Sequence, residues 1–314
     1  MKKQKKSKKQ ILAITLSTLF CIGSIILLIV LLYPADNYYI YLYKSFAYQL
    51  ICFFLVLAII SVILKNKIAS IILFAIFLIA TVYVVRFFQN PSYNKSYESD
   101  LSIMQMNVFV NNEKMQEVMD VIKKENPDIL SIQEFTNDHY ELIKEDLDNL
   151  YPFSIIEASD NISGIGVFSK RPFNKFEKVY IQDVPVIIAN TEIEKQEFNL
   201  FATHAPAPLN SSSWNWQKQF FQEFDNLIQG ISGDIIIIGD LNTVPWHKEL
   251  STIVQNNDLE FAFYNPFGTY PTRNPFIRVP IDHIIMSDGI KTYNTEKIQI
   301  PGSDHLGIKS NINF

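Results

Sequence analysis

Asp240 and Asn242 leave the end of a short run of four isoleucines, Ile235–Ile238, with only Gly239 and Leu241 as company. Residues two apart on an extended chain point to one side, so a carboxylate and a carboxamide are aimed together at one spot. A wholly apolar β-branched run reads as a central strand buried on both faces. Other apolar runs end the same way: Leu101–Val108 near Asn107, Asp128–Glu134 on Glu134, and Glu197–His204 on His204 before Ala-Pro-Ala-Pro. Asp282 lies in a late strand, Ile281–Met286, and Asp304-His305 lies in a loop near the end. Carboxylates and amide oxygens suit a hard cation such as Mg2+. Histidines and amides suit donation to phosphoryl oxygens that gain charge in a transition state. A carboxylate beside a metal can align and deprotonate water. The inventory holds no Gly-rich phosphate loop and no Ser or Cys nucleophile with a partnered base. The chemistry it predicts is metal-assisted attack of water on phosphorus.

These side chains need a scaffold that gathers strand ends at one edge. Asn112–Glu125 has Met115, Val118, Met119 and Ile122 at helical spacing, and Asn126-Pro127 stops it. Asp138–Leu150 and Ser213–Gln229 are further helices, the last with Trp216, Phe220, Phe224 and Leu227 along one side. Between them, Tyr151–Ile156, Gly164–Ser169, Phe176–Gln182 and Val186–Glu192 read as a meander of short strands. This order predicts mixed sheets covered by helices, an α/β sandwich. His283 is expected to face away from Asp282 in a structural role, His139 and His247 to lie on the surface, and Trp216 rather than lipid contact to fill core.

Residues 11–90 have a different composition. Ile11–Leu32, Phe46–Leu64 and Ile68–Val85 are apolar runs, and about 20 residues at ~1.5 Å each cross a ~30 Å hydrocarbon core. The first run is longer than a signal-peptide core and lacks a small-residue cleavage site, so a spanning helix is the reading. Six of the first nine residues are Lys, and Lys65-Asn-Lys67 separates the second and third runs. Both basic stretches should face the cytoplasm, with the Tyr-rich Tyr33–Lys44 loop opposite and residues after 92 outside the cytoplasm. The organisation expected is a basic start over 1–10, three transmembrane helices within 11–88, a polar tether over 89–99 and a catalytic domain over 100–314. Eleven tether residues reach at most roughly 40 Å, which keeps that domain near the bilayer.

Charge separates the regions further. Of 27 Lys and Arg and 32 Asp and Glu, ten bases and one acid precede residue 92, leaving 17 bases against 31 acids, about −14, beyond it. Sequence-independent nucleic-acid binding draws on neutralising phosphates with Lys and Arg, so this domain is poorly suited to it unless its bases cluster. Cys21 and Cys52 both lie in apolar runs, so disulfides play no part in the polar domain.

Met-Gln-Met-Asn107, Ile-Gln-Glu134, Thr-His204, Gly-Asp240-Leu-Asn242, Ile-Asp282-His and Ser-Asp304-His305, in this order, resemble the motifs of the endonuclease/exonuclease/phosphatase superfamily, the DNase I-like enzymes. The resemblance covers essentially all of 100–314. It implies a four-layer α/β sandwich and a metal, Mg2+ with Mn2+ as the alternative, held chiefly by Glu134 with Asn107 nearby and Asp304 in support. It further implies that Asp240 positions or deprotonates water and that Asn242 orients phosphate and metal. His204 and His305 would bind phosphoryl oxygens, with Asp282 orienting His305. The three apolar runs and the His-Ala-Pro-Ala-Pro segment are similar to a membrane-tethered bacterial branch suspected of acting on lipid-linked phosphates. Family nucleases place an additional Arg or Tyr in the groove; Arg171 reads instead as a structural turn, and Tyr140 and Tyr151 receive no such role. The expected partners are a lipid bilayer and a phosphoester, lipid-linked in the first reading and nucleic acid in the second.

Overall fold

The computed structural model describes residues 7–87, 100–262 and 268–314. The proposed tether, 89–99, and Lys2, Lys3, Lys5 and Lys6 of the basic start lie outside the described residues. The chain divides into two compact units, Met1–Phe87 and Phe88–Phe314.

The first unit contains α1 (Lys8–Leu32), α2 (Tyr38–Ser45), α3 (Ala47–Ile63) and α4 (Lys67–Val85). Ser7 and Gln10 form a reciprocal cap that starts α1. Two helices, α1 and α4, are long and apolar enough to cross a membrane, or three if α2 and α3, bent by 66°, act as one span. The segment expected as a Tyr-rich loop is therefore partly helical: α1 ends at Leu32 as expected, Asn37 caps α2 through its side chain, and a further break at Phe46 separates α2 from α3. Helix contacts use small residues, Ser17, Ser24, Ala58, Ser61, Ala69 and Ala80, which are buried and let backbones approach. Isoleucines and leucines such as Ile26, Ile59 and Ile71 face outward.

The second unit holds two six-stranded sheets. Its elements run β1 (Leu101–Asn107), α5 (Met115–Glu125), β2 (Ile129–Gln133), α6 (Asn137–Leu150), β3 (Phe153–Glu157), β4 (Ile165–Ser169), β5 (Phe173–Ile181), β6 (Val184–Ile193), β7 (Gln196–Thr203), α7 (Ser211–Gln229), β8 (Asp234–Asp240), α8 (Lys248–Asn256), β9 (Leu259–Phe261), β10 (Asp282–Ser287), β11 (Lys291–Gln299) and β12 (Leu306–Asn313). Strand order is β11-β12-β1-β2-β4-β3 in one sheet and β5-β6-β7-β8-β10-β9 in the other.

Three apolar layers follow from the strand period of two. Ile236 and Ile238 of β8 pack with Ile103, Ile129 and Ile284 in the layer shared by the two sheets. Ile235 and Ile237 point the other way, against Phe220, Phe221 and Phe224 of α7 and Leu250 of α8. Met104, Leu130 and Ile132 meet Val118, Met119 and Ile122 of α5 and Ile143 of α6. Helices, sheet, sheet and helices form the α/β sandwich expected, and the isoleucine run is buried on both faces.

Three side chains sit otherwise than expected. α7 buries Trp214 and leaves Trp216 41% exposed, because Gln217 occupies the inner face of the helix and turns the apolar stripe away from Trp216. His139 is buried as a helix-capping residue, taking the Thr136 amide at 3.4 Å on Nδ1 and meeting the Asn112 carbonyl at 3.1 Å with Nε2. His247 is also buried, its Nδ1 3.2 Å from the Thr243 hydroxyl. His283 does face away from Asp282, bonded at 2.8 Å to the Thr243 carbonyl.

Candidate active site

Strand direction brings the polar residues to one edge. β1 and β2 are parallel, so Asn107 and Glu134 leave the first sheet together. β7 and β8 are parallel in the second sheet and deliver His204 and Asp240. β10 is antiparallel to β8 with Asp282 opposite Asp240, so Asp282 opens its strand yet lies at the same edge. His305 directly precedes β12, which runs antiparallel to β1. The close approach of β7 to β8 needs Gly239: its φ is +146°, and a Cβ there would collide with the Thr203 carbonyl oxygen.

The Asn107 carboxamide nitrogen donates to Glu134 Oε1 at 2.9 Å and to Asp240 Oδ2 at 3.1 Å. Its oxygen accepts the Phe109 amide at 2.9 Å, which fixes the amide's orientation. Glu134 Oε2 accepts the Val110 amide at 2.7 Å. Glu134 and Asn242 have φ of +55° and +50°, a left-handed turn that costs about 1 kcal/mol or more for a residue with a Cβ. Each turn comes where the chain leaves its strand.

His204 Nδ1 lies 2.8 Å from the Ile162 carbonyl, so this nitrogen carries a proton. Its Nε2 is 3.1 Å from the Asn242 side-chain carboxamide nitrogen, which also donates to the Ala205 carbonyl at 2.9 Å. His204 is thereby set as an acceptor at Nε2, and donation to a phosphoryl oxygen requires a second proton there. Asp240 Oδ1 accepts the Asn242 amide at 2.9 Å, while Oδ2 lies 3.6 Å from both His204 Nε2 and His305 Nδ1. His305 Nδ1 also meets Asp282 Oδ2 at 3.0 Å.

Burial orders these charges. It raises the Asp240 carboxyl to about 6, helped by Asp282 and opposed by His305 and His204. Burial alone would lower His305, but the Asp282 and Asp240 carboxylates push it up to about 10, so an imidazolium stands between two acids at neutral pH. Burial would also raise Asp282, but the charge and hydrogen bond of His305 hold it below its ordinary value. Burial raises the half-buried Asp304, with His305 opposing and Glu134 and Asp282 adding to the rise. Asp304 also accepts the Thr272 amide on its backbone carbonyl at 2.8 Å.

Three further residues belong to this arrangement. The Ser303 hydroxyl donates to the Asn107 carbonyl at 2.7 Å and accepts the His305 amide at 2.9 Å, tying the two ends of the site. Gln217 donates to the carbonyls of Pro206 and Asn242 at 2.8 and 2.9 Å. The Tyr270 ring lies 4.6 Å from the His305 ring, centre to centre. Ser303 is visible beside the Asp-His pair, and Gln217 as the one polar residue interrupting an apolar helix face. Tyr270 has no sequence signal.

A match to the model of the Endonuclease/Exonuclease/phosphatase family spans residues 104–305. The chain belongs to this family. Zebrafish (D. rerio) TDP2 complexed with single-strand DNA product superposes with a TM-score of 0.57 at 17% identity, over 68% of this chain and 99% of that one. Mannosyl-6-phosphatase Bt3783 of Bacteroides thetaiotaomicron gives 0.52 at 17% identity, over 68% and 100%. Sphingomyelinase C of Streptomyces griseocarneus gives 0.53 at 16% identity, over 69% and 100%. These likenesses are of fold. No curated protein matches the chain.

Enzymes of the family typically use divalent metals, and the donor set here is oxygen-rich as such an ion requires. Among the described residues, donor atoms of Asp240, Asp282 and His305 lie within 4.8 Å of one another. That trio is already closed by the His305 imidazolium, which repels a cation. The Glu134 carboxylate has no such cation bonded to it, and Asp304 lies close enough to feel its charge. Asn107 turns its nitrogen, not its oxygen, toward Glu134, so it serves as a donor to that carboxylate in this arrangement.

Proposed function

We propose that this chain is a membrane-anchored phosphoesterase that depends on a divalent metal, with Mg2+ favoured over Mn2+, and whose catalytic domain, 100–314, faces away from the cytoplasm. The observation that carries the reading is the meeting of Asn107, Glu134, His204, Asp240, Asn242, Asp282 and His305 at one edge of two sheets. Glu134 and Asp304 are the metal-side carboxylates, with Asn107 beside them. A divalent cation held there supplies Lewis acidity to a phosphoryl oxygen. Asp240, with a carboxyl near 6, is a base matched to neutral pH and takes a proton from water. Asn242 holds Asp240 and His204 in register through the bonds described above. Protonated His305 keeps one N–H on Asp282 and offers the other to a substrate oxygen, and His204, held through Nδ1 by the Ile162 carbonyl, is the second imidazole on the phosphoryl side.

The first substrate class is a phosphoester at the bilayer, including lipid-linked phosphates. Fold relatives named for sphingomyelin, mannosyl-6-phosphate and single-strand DNA span lipid, sugar and nucleic-acid substrates. The charge of about −14 beyond residue 92 favours the first over a polynucleotide. The full chain in vesicles, given Mg2+ and a panel of lipid, sugar and nucleotide phosphoesters, tests this. Release no faster than from an Asp240→Ala protein defeats the enzymatic reading, and release confined to oligonucleotides replaces the substrate class.

Orientation rests on the lysines. With the bent α2–α3 pair taken as one span, α1 and α4 make three, an arrangement that puts Lys65 and Lys67 on the cytoplasmic side. Protease added to intact cells should cleave the catalytic domain; protection of the domain until the cells are opened reverses the topology.

A further inference from the structure

Exposed apolar side chains cluster on the loops that build the site. Leu209 is 80% exposed and Phe276 83%, the two most exposed large apolar residues among the described residues of the second unit, with Ile277 and Ile162 about half exposed. Leu209 ends the segment that follows His204. Ile162 lends its carbonyl to His204 Nδ1. Phe276 and Ile277 form a short 3-10 turn, Pro275–Ile277, between Tyr270, which lies against His305, and Asp282. Folding leaves these side chains in water although nothing in their own loops requires it. Asn274 caps the turn by accepting the Phe276 amide at 3.0 Å, and Arg278 braces it from behind through the Pro271 and Thr272 carbonyls. The turn is thus held with Phe276 outward.

Two of these loops, those of Leu209 and of Phe276, depart from the charge of their domain, while that of Ile162 carries Asp160. Residues 204–222 and 268–281 contain no Asp or Glu, but carry Lys218, Arg273 and Arg278, in a domain with 31 acids. Apolar side chains among bases, in an otherwise acidic surface, match an interface of acyl chains beneath anionic headgroups. In the proposed topology the chain supplies that surface itself: residues 86–100 connect α4 to β1 and reach at most roughly 50 Å when extended.

We propose that Leu209, Phe276, Ile277 and Ile162 form an insertion rim that seats the mouth of the site in a lipid surface, so that its substrate is an amphiphile whose phosphoester lies at headgroup depth. This deepens the phosphoesterase reading and rests on it for the substrate class, but the seating can be read without turnover. Apolar side chains leaving water at the interface give binding strength, and the Arg residues add attraction to anionic lipid.

The test uses the full chain with Cys21→Ser and Cys52→Ser, reconstituted in vesicles of phosphatidylglycerol and phosphatidylcholine. A single cysteine replaces Leu209, Phe276 or, as control, the exposed Phe176 of β5, and carries an environment-sensitive dye. Spin-labelled lipid should quench the dye at 209 and 276 about twofold or more above the dye at 176, as insertion by several ångströms requires. Equal quenching at all three positions overturns the rim, whatever the enzyme does. In parallel, Leu209→Ser/Phe276→Ser protein should lose roughly tenfold in turnover of a vesicle-borne phosphoester and keep its rate on bis(p-nitrophenyl) phosphate, as loss of buried apolar area predicts. Equal loss on both substrates also counts against the rim. Quenching as expected with no turnover by any protein keeps the rim and refutes the phosphoesterase.

Discussion

Asn107 and Asp240 belong to different sheets and are 133 residues apart in the chain, yet the Asn107 amide nitrogen donates to Asp240 Oδ2 at 3.1 Å. The same nitrogen donates to Glu134, so one NH2 group sits between a metal-side carboxylate and the proposed base. Two acids this close repel unless a donor separates them. Asn107→Asp replaces that donor with a third carboxylate. The expected result is a fall of ~10²–10³-fold in turnover and a loss of about 1–3 kcal/mol in unfolding free energy, measured by hydrolysis rate and denaturant titration. Full activity in this variant would remove Asn107 from the site.

The pH profile should carry two limbs. In the proposed mechanism Asp240 acts as a carboxylate, so the rate should rise with pH through about 6. His305 acts as an imidazolium, so the rate should fall as pH passes about 10. The sign for stability follows from the same shift. His305 is raised from 6.5 in the fold, so its stabilising contribution is complete below 6.5 and disappears as pH rises through about 10. Asp282→Asn removes the nearest carboxylate and should move the basic limb to lower pH. A basic limb that stays in place would show that His305 owes its charge to something else.

Gln217 is a positioning residue that touches no reacting group. It joins α7 to the backbone beside His204 and Asn242, through Pro206 and Asn242 themselves. Gln217→Met keeps similar volume and leaves the buried Pro206 carbonyl and the half-buried Asn242 carbonyl without that donor, at about 1–3 kcal/mol. The expected kinetic signature is a roughly tenfold lower kcat, as misplacement without loss of chemistry gives, with the midpoint of the acid limb unchanged. A shifted acid limb would instead mean that the substitution reached the charge of Asp240.

The sandwich was legible because its strands are marked by burial. Ile235–Ile238 can satisfy two apolar layers only as a central strand, and the polar residue ending each such run marks an edge. Helix faces were harder. The α7 stripe was misplaced because Gln217 lies inward for its hydrogen bonds and Trp216 outward, a choice that periodicity cannot see. His139 and His247 lie at helix starts that read as surface, but both are buried: His139 meets the Asn112 carbonyl, 27 residues away in the chain, and His247 meets Thr243 just ahead of its own helix. Helix α2 was hidden for a related reason: its tyrosines and Lys44 interrupt the apolar composition that marks a span, and Asn37 caps it all the same. Tyr270 reaches His305 only through the loop's path, so no local pattern foretold it.

The proposed metal site separates the two groups of acids at this edge. Asp240, Asp282 and His305 come within 4.8 Å of one another, but the imidazolium already neutralises them, and an added cation would have to displace its proton. Glu134 has its oxygens on neutral donors, Asn107 and Val110, and Asp304 contributes charge nearby. A hard cation therefore gains more at Glu134. Chelation should abolish turnover, and added Mg2+ should restore it. Glu134→Gln should raise the Mg2+ needed for half-maximal rate by about tenfold or more, since one anionic ligand becomes neutral. Asp304→Asn should raise it less, because that carboxylate supports rather than anchors the ion. Asp282→Asn should alter the pH profile while leaving the Mg2+ requirement within about twofold, as a residue acting through His305 would. The opposite pattern, with the Mg2+ requirement following Asp282 and indifferent to Glu134, would place the ion in the Asp240–Asp282–His305 trio and make His305 a ligand instead of a proton donor.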